Sequence, residues 1–213
     1  MSFIDKIRDR LFGFNQPVSM DDVPKIIKNR PSKQENLQPK QENLQPKPHV
    51  EDHMNEVDKS QPSHILFVCS GNICRSAYAA AKLKQLSQGR SIKIASAGTL
   101  RLVGRKAAPK MIESARENGV DLEDHRSSAL SKLLIDSADI IFAMEPMHSA
   151  RIAEISPDAS KRVLLLGLFL NEPTDTIEDP MGQAPEVYQS VAALIDEALT
   201  NWFKRTYLQP QTD

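Results

Sequence analysis

Cys69 and Arg75 stand six positions apart, and the residues between them, Ser70, Gly71, Asn72, Ile73 and Cys74, suit a tight loop. The apolar run 65–68 leads in and reads as a short buried strand. A helical pattern leaves, with Ala77, Tyr78, Ala80, Ala81, Leu83 and Leu86 and almost no breakers. A strand, a Gly/Asn loop and a helix start make an anion site: loop N–H groups turn inward and the helix N-terminus adds partial positive charge. A phosphate held there would touch the Cys69 sulfur and be forked by the Arg75 guanidinium. Helix dipole, loop amides and Arg75 all favour a thiolate, the nucleophilic form. Such a thiolate can attack phosphorus in line, with Arg75 and the amides stabilising the equatorial oxygens. Ser76 is placed to hydrogen-bond the sulfur and help it leave, and Asn72 tolerates the left-handed backbone a tight loop needs.

The string resembles the phosphate-binding loop of the low-molecular-weight protein tyrosine phosphatases, Cys-x-Gly-Asn-x-Cys-Arg-Ser after a hydrophobic strand. Cys69, Gly71, Asn72, Cys74, Arg75 and Ser76 all match. The resemblance implies a phosphocysteine intermediate and a phosphorylated protein as substrate. A leaving oxygen needs a proton, and Asp175, Glu178 and Asp179 are the candidates in the last loop. The family's acid is the Asp of an Asp-Pro pair, and Asp179-Pro180 is the only such pair in the chain. The resemblance therefore implies Asp179 as the acid, and as the base that later activates water. No cofactor is implied, and no His/Cys cluster suggests a metal site.

Other matches run from about residue 64 to 208. Residues 96–99 look like the family's turn after the second strand. Residues 124–127 resemble a segment that buttresses the loop, although Ser128 stands where relatives often carry Arg or Gln. His125 and His148 read as structural. Tyrosine-specific members usually place an aromatic after Asp-Pro. Here Met181-Gly182 follows, which is similar to the protein arginine phosphatase branch. Ile73 instead matches the tyrosine-type loop, and an apolar residue there suits a ring better than a guanidinium. Two further readings share the fold or the loop. An arsenate reductase would need cysteines beyond the loop, and the chain has none. A non-catalytic phosphate-binding module would need neither Cys69 nor Asp179. In some family members the cysteine matching Cys74 protects the nucleophile by pairing with it. The alternative is that Cys74 only fills space.

The elements that must position these groups alternate. Strands are expected at 65–68, 92–95, 139–144 and 162–166. Helices are expected at 75 to about 88, 108–117, 131–137 with Ser131 as cap, 146 to about 155 with Pro146 at its first position, and 185 to about 207. Residues 167–184 read as a long loop. The strands at 139–144 and 162–166 are apolar on both faces, as strands between helix layers must be. This pattern predicts an α/β fold: a four-stranded parallel sheet flanked by helices, doubly wound in the flavodoxin-like manner. Ligands then bind beyond the carboxyl ends of the strands, where the Cys69 loop lies.

Ahead of this domain, expected at 63–208 with a short tail at 209–213, the composition changes. Residues 2–14 pattern as an amphipathic helix, with Phe3, Ile4, Ile7, Leu11 and Phe12 on one side. It would need a surface to lie on: the domain, a partner or, weakly, a membrane. Residues 15–62 have no aromatic residue, are rich in Pro, Gln, Lys, Glu and Asn, and repeat KQENLQP in tandem. They read as a disordered linker. Net charge is −1, which gives no footprint for nucleic acid. Mean hydropathy is −0.41, and no run approaches a membrane span or a signal-peptide core. Two cysteines, both in the loop, imply a reducing, cytoplasmic compartment.

Overall fold

The computed structural model describes residues 61–208. The amphipathic stretch at 2–14, residues 15–60 of the linker expected at 15–62, and the tail at 209–213 lie outside the described residues. Strand β1, His64–Cys69, is buried along all but its first residue. It pairs in parallel with β2, Lys93–Gly98, on one side and with β3, Ile140–Ala143, on the other. Strand β4, Val163–Leu165, joins β3, giving a four-stranded parallel sheet of order β2-β1-β3-β4. The expected α/β architecture is present.

Alternate residues of β1 serve two cores, as a strand covered on both faces requires. Ile65, Phe67 and Cys69 face the larger one. It is filled by helices α1, Arg75–Leu86, α2, Pro109–Glu117, and, across the sheet's length, the later helix Pro185–Phe203. Phe67 stacks on Phe142 at 5.3 Å, and the fully buried Trp202 meets Phe142 edge-on at 5.0 Å. Leu66 and Val68 face the smaller core. There they meet Ile135 of α3, Lys132–Ser137, and Ile152 of α4, Pro146–Ile155. Helix Pro185–Phe203 is α5. Ser131 caps α3 by accepting from the Leu134 N–H at 3.4 Å. Among the described residues no helix is long and apolar enough to cross a membrane.

Several boundaries differ from expectation, each for a local reason. β2 extends through Ser96, Ala97 and Gly98, residues that pattern as a turn. Parallel pairing carries on to Cys69 opposite Gly98, and pairing outweighs weak strand propensity. β4 is shorter than expected because 3₁₀ turns, Pro157–Arg162 and Leu166–Phe169, take up its flanks. The last helix ends at Phe203 and widens into a π-turn, Lys204–Leu208. That turn seats Tyr207 against Trp202 and Phe203, under the Arg90 guanidinium. Tyr207 also donates to the Pro62 carbonyl.

Candidate active site

β1 ends at Cys69 and α1 begins at Arg75, and the five residues between them fold round the sulfur. The Cys69 Sγ lies 2.9 Å from Ser76 Oγ and accepts from the Asn72 N–H at 3.3 Å. Asn72 is the one described non-glycine residue with positive φ, 53°. Its fully buried side chain compensates for that backbone. Nδ2 donates to Ser76 Oγ at 3.0 Å and Ser96 Oγ at 2.9 Å, and Oδ1 accepts from the Ser128 N–H at 2.8 Å. His125 Nε2 donates to the Asn72 carbonyl at 2.7 Å. Burial pushes His125 below the usual imidazole value, against the raising effect of that hydrogen bond. The expected buttress therefore exists, and Ser128 contributes to it through its backbone N–H.

The loop is held from behind by β2. Gly98 passes so close that a Cβ there would stand 2.7 Å from the Ser70 carbonyl oxygen and 3.0 Å from the Asn72 nitrogen. The chain after β2 then borders the loop. Thr99 N–H donates to the Cys69 carbonyl, Leu100 N–H to the Ser70 carbonyl and Ala108 N–H to the Ile73 carbonyl. Ile73 and Leu102 converge on the space over Gly71. A groove of about 770 Å³ lies behind the loop, between α1, β2 and residues 119–128. Ser96, His125 and Ser128, which hold the loop, are among its lining residues.

Arg75 is fully buried, and its guanidinium fans toward three acceptors. Nη1 donates to Glu145 Oε1 and to the Ile177 carbonyl, both at 2.8 Å, and Nη2 to Asp179 Oδ2 at 2.7 Å. Its Nε has no partner among the described residues. Of the three candidate carboxylates in the last loop, only Asp179 reaches the site. Asp175 bonds its neighbour Thr176 and Glu178 points outward. Asp179 Oδ1 also accepts from the Met181 N–H at 3.1 Å, which shapes the turn. Ile177 N–H donates to the Met144 carbonyl, strapping this loop to the end of β3. Cys74 is buried beside Cys69. Its thiol is pushed up to about 12 by burial, then by Asp179 and Cys69, against the pull of Arg75.

Sequence reasoning missed Glu145. Its signal is its place directly beyond β3, at the same sheet edge as Cys69 beyond β1. It missed Ser96 as well, whose role depends on β2 running on past residue 95. His148, read as structural, is a neighbour of the site. Its Nε2 lies 3.0 Å from Ser70 Oγ and 3.5 Å from Glu145 Oε1. Burial lowers its pKa to about 4 in spite of Glu145, so the ring is neutral. Among the described residues no group of three or more His, Cys, Asp or Glu side chains is arranged to hold a metal.

A family model described as low molecular weight phosphotyrosine protein phosphatase matches residues 64–211. The low molecular weight protein-tyrosine-phosphatase Wzb of Escherichia coli (strain K12) is 35% identical over 140 residues, which is 66% of this chain and 92% of that protein. The structure of Vibrio vulnificus Wzb in complex with benzylphosphonate is 36% identical with a TM-score of 0.63, covering 68% of this chain and 99% of that one. The YwlE arginine phosphatase from Geobacillus stearothermophilus has the same TM-score, 0.63, at 33% identity, covering 68% of this chain and 92% of that one.

Proposed function

The chain belongs to the low molecular weight phosphotyrosine protein phosphatase family, and from that premise we propose that it hydrolyses phosphotyrosine in proteins through a phosphocysteine intermediate. One observation carries the reading. Arg75 joins the loop around Cys69 to Asp179, so nucleophile, anion fork and acid converge at one sheet edge. In the first step the Cys69 thiolate attacks phosphorus while the P–O bond to the tyrosine breaks. Asp179 gives its proton to the departing phenolate oxygen. Loop N–H groups and Arg75 hold the three equatorial oxygens. In the second step Asp179 takes a proton from water, the water oxygen attacks phosphorus, and the S–P bond breaks. Phosphate leaves and the thiolate returns. Ser76, 2.9 Å from the sulfur, supports it as leaving group. Asn72 fixes the loop, and Ser70, Gly71, Ile73 and Cys74 complete the cradle.

A second reading, a protein arginine phosphatase, draws on the likeness to YwlE and on Met181-Gly182 after Asp179-Pro180. Ile73 and Leu102 over Gly71 favour the tyrosine reading, because an aliphatic wall receives an aromatic ring without stranding a guanidinium's donors. With both cysteines free thiols, we assign the protein to the cytoplasm. The test pairs matched phosphotyrosine and phosphoarginine peptides with wild type and Cys69→Ser. Wild type should release phosphate from the phosphotyrosine peptide and the variant from neither. Faster release from phosphoarginine would reverse the order of the two readings.

A further inference from the structure

Charge is segregated across this domain. Residues 61–112 hold nine Lys and Arg and no Asp or Glu, whereas residues 163–203 hold seven Asp and Glu and no Lys, Arg or His. The strand order β2-β1-β3 sets loops from these two stretches on opposite flanks of the Cys69 loop. On the β2 side runs the segment after Gly98, with Arg101, Arg105 and Lys106 exposed. On the β3 side runs the strap to Met144, with Asp175 and Glu178 exposed in the same loop as Asp179.

The cationic flank is a built wall rather than a loose loop. Its two ends are hydrogen-bonded to the carbonyls of Cys69, Ser70 and Ile73. Its middle is pinned to Ser127: the Gly104 N–H donates to the Ser127 carbonyl, the Ser127 N–H to the Arg105 carbonyl, and the Arg105 N–H to Ser127 Oγ. Among the described residues none of Arg101, Arg105 and Lys106 forms an ion pair. Leu100 and Val103 stand exposed on the same segment, at 54% and 71%. An ordinary solvated surface intersperses both signs; this one presents a single sign, on fixed backbone, at the mouth of an anion site.

We infer that residues 100–106 form a docking wall for acidic side chains flanking the phosphotyrosine of the substrate protein, with Leu100 and Val103 contacting apolar residues among them. The inference rests on the phosphotyrosine reading above. The opposite flank repels the same acidic residues, so the two walls together set the direction in which a peptide crosses the site. Each exposed pair is weak alone, on the order of two- to fivefold in binding. Several like charges lying within a Debye length of about 10 Å act together, mainly on encounter.

The experiment uses the full chain and three phosphotyrosine peptides alike except for acidic, neutral or basic flanks. Wild type should favour the acidic over the basic peptide by about tenfold or more in kcat/KM, and the ratio should shrink as salt rises to about 0.5 M. Arg105→Glu combined with Lys106→Glu should erase or invert that preference. Its turnover of p-nitrophenyl phosphate and its melting temperature should stay unchanged, which shows that the variant is folded. Equal rates on acidic and basic peptides in wild type, or an undiminished preference in the variant, would overturn the docking wall while leaving the phosphotyrosine reading intact. Absence of hydrolysis on all three peptides, with a phosphoarginine peptide cleaved, would overturn that reading and the docking wall with it.

Discussion

Arg75 and Asp179 lie 104 positions apart in the chain and meet at 2.7 Å. The contact closes the Asp179 turn over the Cys69 loop and gives the buried guanidinium one of its two carboxylate partners, Glu145 being the other. On the proposed mechanism a phosphoryl group in the loop would accept from the same guanidinium, so Asp179 and substrate would share one fork.

Asp179→Asn keeps a hydrogen-bond acceptor for Arg75 but removes the transferable proton. Turnover of a phosphotyrosine peptide should fall by roughly two to four orders of magnitude, with KM little changed. Asp175→Asn and Glu178→Gln should behave as wild type in the same steady-state assay. If either of those abolishes activity while Asp179→Asn does not, the acid has been misassigned.

Gly98→Ala tests the support behind the loop. All three atoms nearest an added Cβ, Ser70 O, Gly71 C and Asn72 N, belong to backbone that cannot swing aside. Either β2 or the loop must move, at about 1–3 kcal/mol. Misplacing the loop by about 1 Å should cost on the order of a hundredfold in kcat/KM. Kinetics and thermal melting on the same sample check both effects. An unchanged rate would mean that the loop holds its shape without β2.

The loop was legible because its parts are contiguous. A strand, the residues from Cys69 to Ser76 and a helix start can be read in one line, and the left-handed Asn72 is a property of that residue type. Of the partners that hold it, the segment at 124–127 was readable by resemblance, but Ser96 and Glu145 were not, because they are placed by the strands they follow or belong to. Ser96-Ala97-Gly98 has turn composition, and only its pairing with Phe67, Val68 and Cys69 makes it strand. Choosing Asp179 among three carboxylates needed family resemblance; geometry then separates them by one contact with Arg75. The short 3₁₀ pieces flanking β4 and the π-turn holding Tyr207 answer to packing at the domain's edges, which leaves no periodic trace.

The extent of the domain can be tested by truncation. Pro62 is buried and its carbonyl accepts from Tyr207, so the cut belongs before it. Deleting residues 1–60 should leave the melting temperature and turnover of p-nitrophenyl phosphate nearly unchanged, since a segment poor in apolar residues offers little to bury. Deleting 1–62 should lower the melting temperature further by removing that contact. A large loss from the shorter deletion would instead make Phe3, Ile4, Ile7 and Leu11 part of the core.

His148 makes stability depend on pH. Buried against Ser70, and facing Glu145, Arg75 and Asp179, it holds a pKa of about 4, chiefly through burial. The unfolded chain returns it to about 6.5. Between these values the unfolded state binds more protons, so stability rises with pH there and is lost as pH falls from about 6.5 toward 4, by on the order of 3 kcal/mol. His125, also lowered, acts in the same direction. Urea melts at a series of pH values should show this slope, and His148→Asn should flatten most of it. An equal slope in the variant would move the effect to other groups.

Cys74 tests whether the loop guards its own nucleophile. At neutral pH its buried thiol, pushed up to about 12, keeps its proton, so peroxide should take the Cys69 sulfur instead. That step transfers one peroxide oxygen to Cys69, giving a sulfenic acid and water. Cys74 then forms an S–S bond with Cys69, and the sulfenic oxygen leaves as a second water. Peroxide should therefore inactivate the enzyme, inorganic phosphate should slow the loss by occupying the loop, and dithiothreitol should restore activity. Cys74→Ser should keep its catalytic rate but recover poorly after the same exposure, because its Cys69 sulfenic acid oxidises further. Mass spectrometry of the wild-type peptide spanning both cysteines should show the loss of a pair of hydrogens. Full recovery of Cys74→Ser, with no such species in the wild type, would leave Cys74 as packing beneath the loop.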